Sequence, residues 1–279
     1  MLGKRVLTAI VLIPLVLAAL FLLPPLGWGV ASLAAIVLAA GEWANLAGYR
    51  REMWALFVAG IVLIGANLLL APWSGFAQGW PSGVVVSVCG VATAFWVLVA
   101  PPWMRSHWKP RSPLPLAIAG WIVLIGAWVA VVELQARSPW LVLAAMAVVW
   151  IADTAAYFAG RAFGRRKLAP YLSPGKTWEG VYGGLAAVAV YALALVPLAS
   201  SAGFKGIASP MAIVVWIFCA LALAALSVVG DLYESLLKRG ANAKDSGSLL
   251  PGHGGVLDRI DALLAAMPPA ALLALAYLQ

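Results

Sequence analysis

The sequence predicts an all-α polytopic membrane protein with about nine transmembrane helices, its N-terminus in the cytoplasm and its C-terminus outside. Of its 279 residues, 64% are hydrophobic and only 10% are charged, and the mean hydropathy is +0.99. Soluble globular domains of this size do not approach these values. The apolar residues also group into stretches of the length, about 20 residues, that a helix needs to cross a bilayer.

Nine such stretches follow one another along the chain. They cover about 6–23, 29–47, 54–71, 84–100, 114–133, 140–160, 180–199, 211–237 and 262–278. The first begins like a signal peptide, but it is long enough to extend about 27 Å at 1.5 Å per residue, which predicts an uncleaved helix. The second and fifth are interrupted near their ends by Glu42 and Glu133. We expect N-terminal helices over 1–133, about five spans, and a catalytic membrane region over 134–279.

The basic residues predict the orientation. When the connecting segments are numbered alternately, 16 of the 18 Lys and Arg residues fall on one side, and only Arg137 and Lys205 fall on the other. The positive-inside rule places the basic side, and with it the charged loops, in the cytoplasm. The net charge of +8 is therefore explained by topology and by contact with membrane lipids, and no nucleic acid partner is expected.

Charge is concentrated in residues 230–261, GDLYESLLKRGANAKDSGSLLPGHGGVLDRID. If the preceding helix continues through Arg239, then Asp231, Glu234 or Ser235, and Lys238 form a polar stripe on it. The Gly-rich turn allows backbone amides to approach a ligand. Carboxylates at both edges with cations between them suit a hard metal ion that holds a polyphosphate. The alternative is an ordinary solvated loop between two membrane helices.

Two acidic residues lie inside apolar stretches. Asp153 and Asp231 are each about two helical turns from the cytoplasmic end of a predicted span. A carboxylate at such a depth costs about 2.5–3.5 kcal/mol on insertion scales, so we expect it to face a partner, a metal or a wet cavity. A structural pair with a neighbouring Lys or hydroxyl is the alternative, and it is stronger for Asp153 than for Asp231.

A second polar loop follows Asp153, with the sequence GRAFGRRKLAPYLSPGKTWEG. Pro174 and Gly175 predict a turn, and Thr177 is placed to cap the next helix. The fragment PGKT is not a P-loop, because Pro170 stands where the motif needs Gly and a membrane helix replaces the preceding strand. A phosphate-binding loop of another kind and a purely topogenic cluster of basic residues both remain open.

Taken together, these segments resemble a known family. The runs Ser235-Leu-Leu-Lys238-Arg239, Lys244-Asp245, Pro251-Gly-His253-Gly254-Gly255 and Asp258-Arg259-Ile-Asp261 resemble the C-terminal signature of phosphatidate cytidylyltransferases, also called CDP-diacylglycerol synthases. The fragments ADTAAYFAGR and SPGKTWEG are similar to other blocks of that family. The resemblance implies the reaction CTP + phosphatidate → CDP-diacylglycerol + pyrophosphate. It also implies Mg²⁺ as cofactor, with a second metal ion left open, a homodimer, and a bacterial-type cytoplasmic (inner) membrane location with the active site facing the cytoplasm.

The resemblance assigns roles to residues. The phosphate of phosphatidate is already a nucleophile at neutral pH, so the site needs alignment and charge neutralisation more than a strong base. The expected metal ligands are Asp231 and Asp258. The expected catalytic residues are Asp153, Lys238, Arg239, Lys244, Asp245, His253, Arg259 and Asp261. The expected substrate-binding residues are Lys167, Ser173, Lys176, Thr177, Glu179, Ser235, Gly254 and Gly255.

Two other classes make different predictions. An ion-coupled transporter would use Asp153 and Asp231 to carry protons or Na⁺, with acidic residues near the bilayer midplane and symmetric halves. This chain has its acidic residues at one edge and lacks an internal repeat. A CDP-alcohol phosphotransferase would carry a DG-x-x-A-R pattern followed by spaced aspartates, which the sequence does not contain.

Overall fold

A computed structural model describes residues 2–71, 75–108, 110, 112–201, 209–250 and 252–277, with side chains described from residue 10 onward except at 199–201. The helices are α1 (Leu2–Leu22), α2 (Pro25–Leu46), α3 (Arg51–Leu70), α4 (Ser82–Ala94), α5 (Ala100–Ser106), α6 (Leu114–Arg137), α7 (Pro139–Phe163), α8 (Trp178–Ser201), α9 (Pro210–Gly240) and α10 (Leu257–Tyr277). A short 3₁₀ turn (Phe76–Gln78) precedes α4, and a π-helical segment (Phe95–Val99) joins α4 to α5. A hairpin of β1 (Lys167–Ala169) and β2 (Ser173–Thr177) lies between α7 and α8.

The all-α polytopic membrane architecture is confirmed. Within the described ranges, eight helical segments are long and apolar enough to cross a bilayer, and they match the last eight predicted stretches. The first predicted stretch corresponds to α1, of which only Ile10–Leu22 counts as a shorter apolar helix. The count of nine and the orientation of the two termini therefore stay predictions. The basic residues Lys109, Arg111 and Lys205 used in that orientation lie outside the described residues.

The two glutamates that interrupt apolar stretches are buried inside continuous helices. Glu133 is fully buried in α6, where it accepts a 2.7 Å hydrogen bond from the backbone N–H of Trp80 and pairs with Arg137 at 2.6 Å. Glu42 is 4% exposed in α2, and its partners belong to the site described below. Because each carboxylate finds partners within the protein, neither residue ends its span.

Several tryptophans near helix ends are buried between helices and do not face lipid. Their positions along the chain do not distinguish these two environments. Trp28 and Trp80 are 6% and 3% exposed, and their indole N–H groups donate to backbone carbonyls of α6. Trp140, by contrast, is 68% exposed, as an interfacial residue would be. These indoles therefore connect helices to one another as well as to the membrane interface.

The segment after α7 forms a hairpin in which the predicted turn at Pro174 and Gly175 is wrong. Both residues lie within β2, and the chain instead reverses at residues 170–172. Lys167 pairs with Thr177 across the antiparallel ribbon. Proline lacks an N–H but is tolerated on an edge strand, and both strands of a two-stranded ribbon are edges.

Helices α7 and α8 pack closely along a stripe of glycines. A Cβ on Gly180 would lie 2.8 Å from the carbonyl oxygen of Ala156, and one on Gly184 would lie 2.8 Å from that of Ala152. Such contacts leave no room for a side chain, so glycine is needed at both positions. The close packing fixes the end of α7 that carries Asp153 against the start of α8 and its hairpin.

One hydrophobic core extends across the proposed boundary at residue 133. The indole N–H of Trp96, in the N-terminal half, donates to the carbonyl of Leu264 in α10 at 3.0 Å. The ring of Tyr233 in α9 contacts those of Trp43 and Phe95, with centroids 6.1 Å and 5.5 Å away. The division into 1–133 and 134–279 thus stays a proposal about where catalysis occurs.

Candidate functional site

A polar cleft of about 480 Å³ opens between α7, α8, α9 and β2. Four charged residues from three elements line it: Asp153 and Arg161 from α7, Lys176 from β2 and Asp231 from α9. The Nζ atom of Lys176 lies 2.5 Å from Oδ2 of Asp231, and both side chains remain about one quarter exposed. The structure therefore brings together three of the residues that the sequence singled out, in a space that a ligand can enter.

Asp153 faces the open cleft. Its side chain is exposed, and no hydrogen bond or ion pair within 4 Å joins it to another residue of the described ranges. It nevertheless lies within electrostatic reach of Lys176 and Asp231. The structural ion pair that the sequence left open for Asp153 is thus not formed here, whereas Asp231 does form one.

A second charged cluster lies between α9 and α10, and it is closed. The Nζ atom of Lys238 donates to Oε2 of Glu234 at 2.5 Å and to Oδ1 of Asp258 at 2.8 Å. Glu234 is 3% exposed. The polar stripe predicted on α9 is confirmed, because α9 continues to Gly240 and the Glu234–Lys238 pair has the i, i+4 spacing of one helix face.

Asp258 organises the loop before α10. Its Oδ2 atom accepts hydrogen bonds from the backbone N–H of Ser246 at 2.8 Å, the hydroxyl of Ser246 at 2.9 Å and the backbone N–H of Gly255 at 2.8 Å. A Cβ on Gly254, whose φ is 79°, would lie 2.5 Å from the same oxygen. With Lys238 on Oδ1, both carboxylate oxygens of Asp258 are occupied by protein donors.

Glu42 is the residue that the sequence reasoning missed. From α2 it accepts hydrogen bonds from the backbone N–H of Val256 at 3.0 Å and the backbone N–H of Leu257 at 2.7 Å. It also lies 2.9 Å from the hydroxyl of Ser246, whose one proton it shares with Asp258. It thereby satisfies N–H groups at the start of α10. The signal was present, because an acid inside an apolar stretch is costly and needs a partner, but it was interpreted only as an interruption of the span.

The remaining residues of the charged segment fall into two groups. Asp261 is partly buried, accepts a 2.8 Å hydrogen bond from the N–H of Ala262, and lies within electrostatic reach of Asp231 and Glu234. Ser235 is buried in α9. Four charged residues of the segment are exposed: Arg239, Lys244, Asp245 and Arg259.

His253 adopts a distinct environment. Its backbone N–H donates to the carbonyl of Leu250 at 2.8 Å. Its ring atom Nδ1 is buried, and no hydrogen-bond partner for it is found among the described residues. The neighbouring Pro251 lies outside the described residues. The imidazole is therefore part of the loop and keeps one nitrogen for a further interaction.

Most of the site residues predicted in the hairpin between α7 and α8 hold that hairpin in place. The carboxylate of Glu179 accepts hydrogen bonds from the backbone N–H groups of Arg165 at 3.0 Å and Arg166 at 3.1 Å. The hydroxyl of Thr177 accepts one from the N–H of Gly180 at 3.1 Å, so Thr177 caps α8 as predicted. Nε of Arg239 donates to the carbonyl of Leu172 at 3.3 Å and thereby connects α9 to the hairpin. Lys167 is exposed, whereas Ser173 lines the cleft.

The acidic residues fit a divalent cation only in the open cleft. Among the described residues, no group of three or more His, Cys, Asp or Glu side chains could hold a metal ion by itself. Mg²⁺, however, is commonly held by one or two carboxylates together with substrate phosphates. Asp231 and Asp153 line the cleft and meet that requirement. Asp258 could contribute only if one of its oxygens exchanged its present donor for the ion.

Comparisons with known proteins agree with one another. The model of the Cytidylyltransferase family matches residues 3–277. The chain is 40% identical over 283 residues to a phosphatidate cytidylyltransferase of Pseudomonas aeruginosa, covering 96% of this chain and 95% of that protein. It is 37% identical over 287 residues to one of Haemophilus influenzae, covering 96% of each. A third, from Bacillus subtilis, is 44% identical over 125 residues, covering 44% of this chain and 43% of that protein.

Proposed function

The chain belongs to the cytidylyltransferase family, and from that premise we propose that the cleft between α7, α8 and α9 is where its reaction takes place. The protein is an enzyme that transfers the cytidylyl group of CTP to phosphatidate, giving CDP-diacylglycerol and pyrophosphate. The observation that carries the choice of site is the Lys176–Asp231 pair, which is open to a ligand within a membrane-spanning region. The transporter interpretation is not supported by these relatives.

The reaction is a phosphoryl transfer whose demands are mainly electrostatic. A phosphate oxygen of phosphatidate forms a bond to the α-phosphorus of CTP, and the bond from that phosphorus to the bridging oxygen of the β-phosphate breaks. The electron pair of the broken bond leaves with pyrophosphate. Negative charges must approach one another and then separate, so cations and alignment provide most of the catalysis.

Lys176 is proposed to bind phosphate oxygens of CTP in the cleft. Lys176 lies in β2, a strand that α7 and α8 fix in place, and its ammonium group is held by Asp231 of α9. Because Asp231 already fixes the position of the ammonium group, less side-chain freedom is lost when a phosphate binds. Ser173 lines the same cleft and is proposed to donate a hydrogen bond to the nucleotide.

Mg²⁺ is the proposed cofactor. Asp231 would hold it in the open cleft together with substrate phosphates, with Asp153 as the neighbouring carboxylate. Asp258, the second ligand that the sequence favoured, would join them only by giving up one of its present hydrogen-bond donors. When bound, the ion would neutralise charge on the phosphate oxygens. A second metal ion remains an extension of this proposal.

The closed cluster is proposed to hold the site in shape. Lys238 joins α9 to α10 through Asp258 and is itself held by Glu234 of α9. Asp258 in turn holds the loop that carries His253. Gly254 allows that loop to approach Asp258 closely, and Gly255 allows it to approach Ser246 and Glu42. The exposed cations Lys167, Lys244, Arg239 and Arg259 are proposed to attract the nucleotide to this face by their charge.

The surroundings of the enzyme follow from charge and from family resemblance. We place it in a bacterial-type inner membrane with the cleft facing the cytoplasm, because 16 of 18 basic residues fall on one predicted side. That orientation gives CTP direct access to the cleft and lets phosphatidate enter from the bilayer. A homodimer is the oligomeric state that the resemblance implies.

Turnover by the purified protein tests the function. The protein in detergent, supplied with phosphatidate and radiolabelled CTP, should form CDP-diacylglycerol and pyrophosphate in equal amounts when Mg²⁺ is present, and EDTA should abolish this. ATP in place of CTP is the matched nucleotide control. If the folded protein with Mg²⁺ formed no CDP-diacylglycerol, the assignment would be overturned.

A further inference from the structure

A second cavity, of about 90 Å³, lies among α6 to α10 and is almost wholly apolar. Its wall includes Leu141, Val148, Tyr191, Cys219 and Leu223. It is on the side of the helices away from the hairpin, because Leu141 is near the beginning of α7, whereas Asp153 lies past the middle of that helix and the hairpin follows its end. None of the described residues that line it is charged, so the catalytic residues of the cleft do not account for it.

This cavity adjoins the polar cleft. On α9, the consecutive residues Leu223 and Ala224 line the cavity and the cleft respectively. On α7, Val148 of the cavity is four residues, one helical turn, from Ala152 of the cleft. The same three helices, α7, α8 and α9, therefore enclose a polar space at one end and an apolar space at the other.

The polar atoms in the cavity wall are already satisfied by the protein. The hydroxyl of Tyr191 donates to the carbonyl of Ala144 at 3.3 Å, and the indole N–H of Trp216 donates to the carbonyl of Ala192 at 2.8 Å. What these side chains present to the cavity is therefore ring carbon. A ligand that requires hydrogen bonds would lose them on entering, whereas a hydrocarbon would lose nothing.

The depth of the two spaces matches one lipid chain. Leu141 is twelve residues before Asp153, a distance of about 18 Å along α7 at about 1.5 Å per residue. The acyl chains of one leaflet reach about 15 Å, half of a hydrocarbon core about 30 Å thick. A lipid phosphate at the level of Asp153 would thus place the end of its chain between Val148 and Leu141, which are about 7 Å and 18 Å from Asp153 along α7.

We propose that this cavity receives the methyl end of one acyl chain of phosphatidate while the phosphate occupies the cleft. The inference rests on the proposed function, and it identifies the residues that select chain length. The acyl chain moves from surrounding lipid into a cavity of similar polarity, so its binding gains little from the hydrophobic effect. The cavity instead orients the phosphate for attack, and a chain that cannot enter it presents the phosphate less often in a reactive position.

The direct test fills the cavity from α9. Ala220 lines it and is 8% exposed, whereas Ala222, two residues along, is exposed on another face of the helix. The kcat/KM for dipalmitoyl phosphatidate, divided by that for dioctanoyl phosphatidate, should fall about tenfold in Ala220→Phe. The same ratio in Ala222→Phe, which adds the same ring outside the cavity, should equal that of the unmodified protein. An unchanged ratio in a folded Ala220→Phe would overturn the proposal.

A second measurement does not depend on any variant folding. Phosphatidate with a photoreactive diazirine near the end of one chain should label peptides containing Leu141–Val148 of α7 and Trp216–Leu223 of α9. Phosphatidylcholine with the same chain is the control. Equal labelling by the two lipids would mean that the cavity holds bulk lipid only, which overturns the proposal. Turnover distinguishes the acyl-chain proposal from the proposed function. If the unmodified protein converted neither dipalmitoyl nor dioctanoyl phosphatidate, the proposed function would be rejected instead.

Discussion

The Oε2 atom of Glu42 accepts a 2.7 Å hydrogen bond from the backbone N–H of Leu257, a residue 215 positions further along the chain. The same carboxylate accepts hydrogen bonds from Val256 and Ser246. Because Ser246 also donates a hydrogen bond to Asp258 at the start of α10, an acid in the N-terminal half helps to set the position of the charged loop in the C-terminal half. The N-terminal helices therefore contribute more than a membrane anchor.

Glu42→Gln should lower both stability and activity. All three partners of Glu42 are donors, and the amide NH₂ of glutamine would face one of them instead of accepting its hydrogen bond. Leaving a buried donor unsatisfied costs about 1–3 kcal/mol. Thermal unfolding in detergent should show a lower Tm than for Glu52→Gln, which alters an exposed acid of α3 in the same way. Equal Tm values for the two variants would show that Glu42 does not hold the loop.

The extent of the fold that could be predicted follows from how local each feature is. A transmembrane span depends on about 20 consecutive residues, so the apolar stretches located the helices directly. The partners of Glu42 depend instead on how α2 packs against residues 246–257, and no sequence window contains both. The turn at Pro174 and Gly175 failed for a related reason: the pairing of β1 with β2 overrides the local preference of the two residues.

The site shows the same division. The sequence identified Asp231, Lys176, Lys238 and Asp258 as chemically important, because charged residues in a membrane protein need a reason. It could not determine which acid meets which base. In the structure Lys176 pairs with Asp231 in an open cleft, whereas Lys238 pairs with Asp258 in a closed cluster. Asp231 and Asp258 belong to one charged segment, but the structure gives them different roles: Asp231 lines the open cleft and Asp258 holds the closed cluster.

The orientation in the membrane can be tested with reporters. Sixteen basic residues on one predicted side place the N-terminus inside, and nine spans then place the C-terminus outside. Fusions of a reporter that is active on only one face, joined after Arg111 or after Gln279, should give opposite signals. The same signal from both fusions would refute nine spans. Fusion after Arg51, on the predicted cytoplasmic side, is the control for the inside signal.

Lys176→Met should weaken CTP binding without unfolding the protein. The substitution keeps the apolar stem but removes the cation that pairs with Asp231, so phosphate oxygens would meet an uncompensated carboxylate. We expect KM for CTP to rise, or kcat to fall, about tenfold or more. Arg51→Met removes a basic residue that is exposed at the start of α3, away from the cleft, and controls for the loss of one charge. Normal kinetics in a folded Lys176→Met would reduce the hairpin to a topogenic role.

Asp231→Asn and Asp258→Asn should each nearly abolish turnover, for reasons that stability measurements can separate. Asp231 faces the open cleft, where an amide keeps the shape but loses the charge that a hard cation and Lys176 require. We therefore expect a fall in kcat of about 100-fold or more, the range seen when one charge-stabilising group is removed, with little change in Tm.

Asp258→Asn should also unfold at a lower temperature. Its carboxylate accepts four hydrogen bonds, and an amide nitrogen in place of either oxygen would face a donor. The turnover of the double variant should be only slightly lower than that of either single variant, because each single change already disables the same site. Asp245→Asn, which alters an exposed acid of the same loop, gives the comparison for stability. Substantial CTP-dependent activity of Asp231→Asn at saturating Mg²⁺ would remove Asp231 from the proposed metal site, while leaving the family's reaction in place.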